Sequence, residues 1–166
     1  MQKLTPFLWF DDQAEEAAEF YVSVFDGRPD GSRSGESKVL GVARYGEAGP
    51  GTPGTAMTAS FQLEGLEFTA LNGGPQFAFT EAISLHVSCE SQDEVDYFWK
   101  ALTDGGEEGQ CGWLKDRYGL SWQIIPTRLH LLLGDPDPKR AERATKAMLE
   151  MQKIDIAAME RASEAA

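Results

Sequence analysis

Two strand-like segments carry polar side chains of the kind that bind or activate a small molecule. Gln123 stands in KDRYGLSWQIIP, residues 115–126, and His86 stands in AISLHVSCE, residues 82–90. An amide donates and accepts hydrogen bonds, and an imidazole changes charge near neutral pH. These residues indicate ligand binding. If the protein is an enzyme, they predict general acid–base chemistry by His86, with Gln123 and Ser84 orienting the substrate.

Each of these candidates also has a purely structural interpretation. His86 could be an ordinary strand histidine, and Gln123 could simply hydrogen-bond Thr69 or Ser84. The second histidine, His130, lies in RLHLLLG and is expected near the edge of the fold. No Ser-His-Asp arrangement commits the chain to nucleophilic catalysis.

Composition excludes several classes of partner. The 166 residues predict a single domain with a sizeable core. A net charge of −12 argues against nucleic acid and anionic membranes, because both require a cationic face. No apolar run approaches the roughly 20 residues of a membrane span. With no signal peptide recognised, a cytoplasmic protein is expected. Cys89 and Cys111 fit no disulfide framework and predict reduced thiols.

The chain contains one folding unit twice. DDQAEEAAEFYVSVFDG superposes on SQDEVDYFWKALTDGG, so that Phe20 falls on Phe98 and Gly27 on Gly105. GLEFTAL at 65–71 likewise matches GLSWQII at 119–125. The extra length of the first copy is expected between residues 28 and 55, which include the Gly/Pro loop GEAGPGTPGT.

Each copy predicts a strand, a helix and about three further strands. The first helix is expected to be capped by Asp11 or Asp12, and the second by Ser91 with Glu94 completing a capping box. The predicted fold class is α+β, with two paired βαβββ modules forming a curled mixed sheet around a concave cup and helices outside. The modules span about residues 3–74 and about 80–130, followed by a helical tail at 135–164.

Side-chain alternation divides each matched strand into two faces. One set is apolar and is expected under the helices: Phe7, Trp9, Leu66, Phe68, Ala70, Leu85, Val87, Leu120, Trp122 and Ile124. The opposite set is mixed and is expected to line the cup: Pro6, Leu8, Phe10, Glu67, Thr69, Leu71, Ser84, His86, Ser88, Ser121, Gln123 and Ile125. Mostly apolar walls with a few polar groups are typical of a small-molecule pocket.

Paired βαβββ modules, an FY pair in the first helix and a closing D-x-x-G-x-x-W-x-I strand resemble the vicinal oxygen chelate superfamily, also called glyoxalase/bleomycin resistance/dioxygenase. FTALNGGPQFAFTEAIS, CESQDEVDYFW, CGWLKDRYGLSWQIIP and the tail sequence resemble its PhnB-like branch, often labelled 3-demethylubiquinone-9 3-methyltransferase-like. The resemblance covers residues 4–130 and implies the fold more specifically than a reaction.

The resemblance also identifies four positions where metal-dependent relatives hold their ligands. Counting along the motifs places Pro6, Ser84, Thr69 and Gln123 there. A proline, two hydroxyls and a neutral amide are poor ligands for a divalent ion, and His86 alone does not make a metal centre. We therefore expect no metal and no cofactor.

The residues expected to contact a small-molecule ligand are Thr69, Ser84, Gln123, Trp113, Lys115 and Leu8. Trp113 and Lys115 could point to either face of their strand. The LNGG segment at 71–74 is most simply a turn, although its backbone N–H groups could hold an anion.

Two other functions stay open beside a binding protein or metal-independent enzyme. One is a methyltransferase acting on a ubiquinone-type substrate, as the branch label suggests. S-adenosylmethionine enzymes of the common type need a Gly-rich turn between a parallel strand and a helix, and no such turn is evident here. The other is a structural or interaction protein without a ligand.

The tail LLLGDPDPKRAERATKAMLEMQKIDIA predicts a helix capped by Asp135 or Asp137, with Pro138 in its first turn. Its apolar stripe must dock, either on its own sheet or on a second chain: Ala141, Ala144, Met148, Met151 and Ile154. Relatives are commonly dimers, so the resemblance implies a homodimer.

Overall fold

The computed structural model describes residues 2–28 and 35–165, which form eight strands and five helices. They fall into two compact units, Met1–Phe79 and Thr80–Ala166. The boundary between the units lies between the two sequence repeats. That both units make up one domain stays a prediction.

The first unit has the predicted order of strand, helix and three strands. Its sheet runs β1-β4-β3-β2, with β1 parallel to β4 and the other pairs antiparallel. The Gly/Pro loop connects β2 to β3, as expected, and residues 29–34 of the predicted insertion lie outside the described residues. The elements are β1 (Phe7–Phe10), α1 (Ala14–Asp26), β2 (Lys38–Arg44), β3 (Ala56–Leu63) and β4 (Leu66–Asn72).

The second unit repeats this construction, with the sheet order β5-β8-β7-β6 and β5 parallel to β8. The first of its three later strands, β6, has only two residues and lies at the sheet edge. The α+β class with two βαβββ modules is therefore confirmed. The elements are β5 (Ser84–Cys89), α2 (Gln92–Thr103), β6 (Glu107–Glu108), β7 (Trp113–Lys115) and β8 (Ser121–Pro126).

The two helices begin in different ways. Ser91 caps α2 as predicted, since its Oγ accepts a hydrogen bond from Glu94 N at 3.2 Å. The cap predicted for α1 was wrong. No carboxylate caps this helix; instead Asn72 of β4 accepts a 2.7 Å bond from Ala14 N through its Oδ1. A residue far along the chain supplies this cap, so the local pattern gave no sign of it.

The apolar face of each helix packs on its own sheet. Tyr21 of α1 lies over Phe61 of β3, with ring centroids 6.0 Å apart. In the second unit, the fully buried Phe98 belongs to α2 and the nearly fully buried Trp122 to β8. Each large side chain buried in this way stabilises the fold by roughly 1.5–3 kcal/mol.

The faces predicted for β1 were reversed. Leu8 pairs with Ala70 and Phe7 with Thr69, so Leu8 lies on the helix-facing side. Leu8 is 5% exposed and Phe7 is 62% exposed. Residues 11–13 connect β1 to α1, whereas only residues 90–91 connect β5 to α2. That one-residue difference turns every side chain of the strand to the other face.

The tail forms three helices that dock on the second unit of the same chain. They are α3 (Thr127–Leu133), α4 (Pro138–Leu149) and α5 (Ile156–Glu164). Asp137 caps α4 by accepting a bond from Lys139 N at 2.9 Å, and Pro138 is its first residue, as predicted. Cys111 N donates to Met151 O at 2.8 Å, which holds the tail to the β6–β7 connection. The tail core comprises Ile125, Leu129, Leu132, Ala144, Ile154 and Met159.

Both cysteines are free thiols, Cys89 buried and Cys111 half-buried. None of the helices in the described part of the chain combines the length and the apolar character required to cross a bilayer.

Candidate functional site

The turn before β8 fixes which way its side chains point. Asp116 is buried; its Oδ1 accepts hydrogen bonds from Tyr118 N at 2.9 Å and Leu120 N at 3.1 Å. Its Oδ2 accepts a 2.8 Å bond from the indole Nε1 of Trp122. Because Trp122 is thereby held on the side facing α2, Gln123 must lie on the opposite side.

Strand register gathers the predicted site residues of the second unit on that opposite side. Gln123 pairs with His86 on β5 and with Trp113 on β7. One row along, Ser121 pairs with Ser84 and with Lys115. Cross-strand partners share a face, so these residues form one surface. We call it the polar face: Ser84, His86, Trp113, Lys115, Ser121 and Gln123.

Gln123 is half-buried at the centre of the polar face. Its Nε2 donates a 2.8 Å hydrogen bond to Ser84 Oγ, one of the two structural partners expected from the sequence. No hydrogen bond from the described residues reaches its Oε1. The amide is thus positioned by a neighbour while its oxygen remains available to a donor on a ligand.

His86 lies at the exposed side of the polar face. Its Nδ1 is 3.5 Å from Ser88 Oγ, at the limit of a hydrogen bond. Its ring also stacks at 6.4 Å, between centroids, on the ring of His130 in α3. The two histidines are therefore neighbours, which the sequence did not predict because they belong to different elements.

A small cleft of about 190 Å³ lies on the same side of the sheet, at the end of the polar face formed by β7. Lys115 pairs there with Glu81, with Nζ and Oε1 2.6 Å apart. This hydrogen bond raises the pKa of Lys115 and lowers the pKa of Glu81. Sequence reasoning missed Glu81, which belongs to the segment before β5 and to no periodic pattern. The cleft is lined by Glu81, Glu107, Glu108, Gly109, Trp113, Leu114, Lys115 and Ser121.

Thr69 holds in the first sheet the position that Gln123 holds in the second. Its partners on the neighbouring strands are Phe7 and Ser60, so it has no acid or imidazole beside it. Leu8, the other predicted ligand residue in this unit, is part of the core and faces α1. Counting along the motif placed Pro6 at a ligand position beside Thr69. The cross-strand neighbour of Thr69 is instead Phe7, one residue further along the chain.

The donor set does not suit a catalytic metal. On the last strand of each unit, the position matched to a metal ligand holds the hydroxyl of Thr69 or the amide of Gln123. Their neighbours on the first strand of each unit are Phe7 and His86, respectively. Within residues 2–28 and 35–165, no group of three His, Cys, Asp or Glu side chains is placed to hold a metal ion.

The LNGG segment is not a turn as expected: Leu71 and Asn72 end β4, and the N–H groups of the two glycines that follow are already used. Gly73 N donates to Phe10 O at 3.0 Å, and Gly74 N donates to Asp11 O at 3.2 Å. Neither is available to an anion. Beside these glycines the first unit has a wide cleft of about 870 Å³, where Arg44 pairs with Glu15 at 2.9 Å.

Comparison with known proteins places the chain among relatives. The model of a family described as 3-demethylubiquinone-9 3-methyltransferase matches residues 2–125. The PhnB protein from Bacillus cereus is 38% identical with a TM-score of 0.65; the match covers 76% of this chain and 100% of that one. Protein PA1353 from Pseudomonas aeruginosa shares the fold at 17% identity, with a TM-score of 0.56 and 74% and 95% coverage. No curated protein matches the chain.

Proposed function

Because this chain belongs to the 3-demethylubiquinone-9 3-methyltransferase family, within the glyoxalase/bleomycin resistance/dioxygenase superfamily that its sequence resembles, we propose that it binds a small molecule on the polar face of its second unit. Members of that superfamily are small-molecule-binding proteins or enzymes. Binding here is proposed to need no metal ion, since the polar face offers amide, hydroxyl and imidazole groups instead.

The observation that carries this proposal is the position of Gln123. Its amide is held by Ser84 at 2.8 Å, and in the strand register Gln123 has His86 on one side and Trp113 on the other. An aromatic wall beside a fixed amide suits a planar ring that bears one hydrogen-bonding group. Thr69, in the equivalent place of the first sheet, stays a predicted ligand contact.

Catalysis, if the bound molecule reacts, is assigned to His86. It is the imidazole of the polar face, and imidazole is the side chain most often used as a general acid or base. Gln123 and Ser84 would orient the substrate through hydrogen bonds. Turnover lost in His86→Ala with the fold intact supports this role, and unchanged turnover contradicts it.

Methyl transfer is the second candidate, because the family description names it. The described residues do not fit S-adenosylmethionine of the common binding type. The turns that lead from β1 to α1 and from β5 to α2 contain no glycine, and the N–H groups of Gly73 and Gly74 bond to the backbone. Titration calorimetry with S-adenosylmethionine tests this: micromolar binding would overturn our preference.

A homodimer in the cytoplasm completes the proposal. The tail stripe docks on its own unit, so the dimer contact must use other surfaces. Exposed apolar side chains such as Leu40 and Leu66 in the first unit are available for this. Sedimentation equilibrium of the full chain should give twice the mass of one chain; a monomer at all concentrations would exclude the dimer.

The binding proposal is tested by NMR on the ¹⁵N-labelled full chain with phenol and benzamide. We expect shift changes to centre on the side-chain amide of Gln123, the indole of Trp113 and the backbone of His86. Gln123→Leu should abolish them. Gln62→Leu, at an equally half-buried glutamine of the other sheet, should not. Shift changes confined to the 870 Å³ cleft of the first unit, or none, would contradict the proposal.

A further inference from the structure

Ser121 is an exception to the way buried polar groups are normally satisfied. The residue is 0% exposed, and its hydroxyl has no hydrogen-bond partner within residues 2–28 and 35–165. Buried hydroxyls almost always find a partner in protein or water, because an unpaired one loses its hydration without compensation. A buried serine hydroxyl without a partner at this position therefore suggests a role beyond packing.

The hydroxyl lies at a built cleft. Ser121 lines the 190 Å³ cleft next to the polar face, together with Trp113 and Lys115. The register forms a row across the sheet from Glu107 through Lys115 and Ser121 to Ser84. The unpaired hydroxyl thus sits between charged side chains and the residue that holds Gln123.

The charge of this cleft is negative. Three carboxylates and one ammonium line it. Lys115 is neutralised by Glu81 at 2.6 Å, and Glu108 accepts a 2.8 Å bond from the indole of Trp99. Glu107 has no hydrogen bond or ion pair of its side chain among the described residues. Its carboxylate is the cross-strand neighbour of Lys115, and its charge adds to the effect of Glu81 in raising the pKa of that ammonium. Three carboxylates thus share one ammonium, which leaves the cleft negative beside Ser121 and Trp113.

From these observations we propose that Ser121, Glu107 and Trp113 form a subsite for a protonated primary amine. The inference rests on the proposed function, since it names one group of the ligand that binds the polar face. An ammonium has three donors and no acceptor, so it can bond the oxygen of Ser121 and the carboxylate of Glu107. It also interacts favourably with an indole ring. A carboxylate ligand would instead have to displace Glu81 from Lys115 and face Glu107.

The charge of the ligand is tested with three four-carbon molecules: butylammonium, 1-butanol and butanoate. Each is titrated into the ¹⁵N-labelled full chain at pH 7 and constant ionic strength, with the Trp113 indole N–H as the probe. We expect butylammonium to bind about tenfold more tightly than 1-butanol, and butanoate to bind most weakly. Tightest binding by butanoate would overturn the proposal.

Variants locate the subsite. Ser121→Ala and Glu107→Gln should each weaken butylammonium binding about tenfold, whereas Glu164→Gln, which removes an exposed charge from α5, should leave it unchanged. Wild-type affinity of Ser121→Ala for butylammonium would contradict the inference. If phenol or benzamide perturbs Gln123 while butylammonium perturbs nothing, the amine subsite is wrong and the proposed function stands. Amine binding without any effect of those rings on Gln123 supports the subsite and contradicts the proposed function.

Discussion

Gln123 on β8 is the cross-strand neighbour of His86 on β5, and this pair has no polar equivalent in the first unit. There the corresponding neighbours are Thr69 and Phe7. The two units therefore share one strand order but carry different chemistry on the sheet face. The second copy holds an amide beside an imidazole, whereas the first holds a hydroxyl beside an aromatic ring. This difference is why the binding proposal concentrates on the second unit.

The reversed faces of β1 lead to a prediction about stability. Leu8→Ala should lower the free energy of unfolding by about 2–5 kcal/mol, because it leaves a cavity under α1. Phe7→Ala should cost less than about 1 kcal/mol, since the Phe7 ring is mostly exposed. Urea unfolding of both variants measures this. A larger loss in Phe7→Ala would mean that the face assignment from the sequence was right.

Ser121 and Ser84 provide a matched pair of hydroxyl deletions. Ser121→Ala removes a buried group without a partner, so we expect the free energy of unfolding to stay unchanged or to rise by up to about 1–3 kcal/mol. Ser84→Ala removes the acceptor of the Gln123 bond and should cost about 0.5–1.5 kcal/mol. Thermal and urea unfolding of both variants decide this. Equal losses in the two would show that Ser121 has an internal partner.

Gln92 ties the tail to α2. Its Nε2 donates to Ile154 O at 3.0 Å, and its Oε1 accepts from Ile156 N at 2.9 Å. Gln92→Ala should lower the free energy of unfolding by about 1–3 kcal/mol and speed hydrogen exchange in α5 before other elements. The exposed Gln152 offers the control, Gln152→Ala. Unchanged exchange in α5 would show that the apolar contacts alone hold the tail.

The Asp96–Lys153 pair gives the tail a dependence on pH. The 2.6 Å hydrogen bond from Lys153 lowers the pKa of Asp96 in the folded state. Its stabilisation is therefore present above the ordinary aspartate pKa and is lost as the pH falls through the lowered folded value. Both side chains are partly exposed, so the effect should not exceed about 1 kcal/mol.

Asp96→Asn tests that dependence. The melting temperature of the variant should lie below that of the wild type at pH 7, and the difference should shrink toward pH 2.5. Glu19→Gln, an exposed acid on α1, serves as the control and should show no such trend. A difference that is the same at both pH values would exclude an ionic contribution from Asp96.

Much of the fold was predictable from local sequence patterns. The Ser91 cap and the alternation of β8 each depend on a regular spacing and were predicted correctly. TPFLWF was different, because every residue from Pro6 to Phe10 is apolar and alternation carries no information there. Its phase came from counting along the repeat, and one extra residue in the β1–α1 connection reversed it.

That Ser84, His86 and Gln123 share one sheet face was predictable, because strand register follows from alternation. Glu81 and Glu107 were not predictable, because Glu81 lies in an irregular segment and Glu107 lies in a two-residue strand. The Asn72 cap of α1 was missed for a related reason: the bond joins residues that are distant in sequence. A buried hydroxyl without a partner, as at Ser121, is a property of the packed fold alone.

The most direct test of the account is a crystal structure of the full chain soaked with benzamide. We expect density for the ring against Trp113, with its amide within hydrogen-bond distance of Gln123 and Ser84. Density only in the cleft between Asp11 and Gln76 of the first unit, or a polar face packed shut by its own side chains, would contradict it.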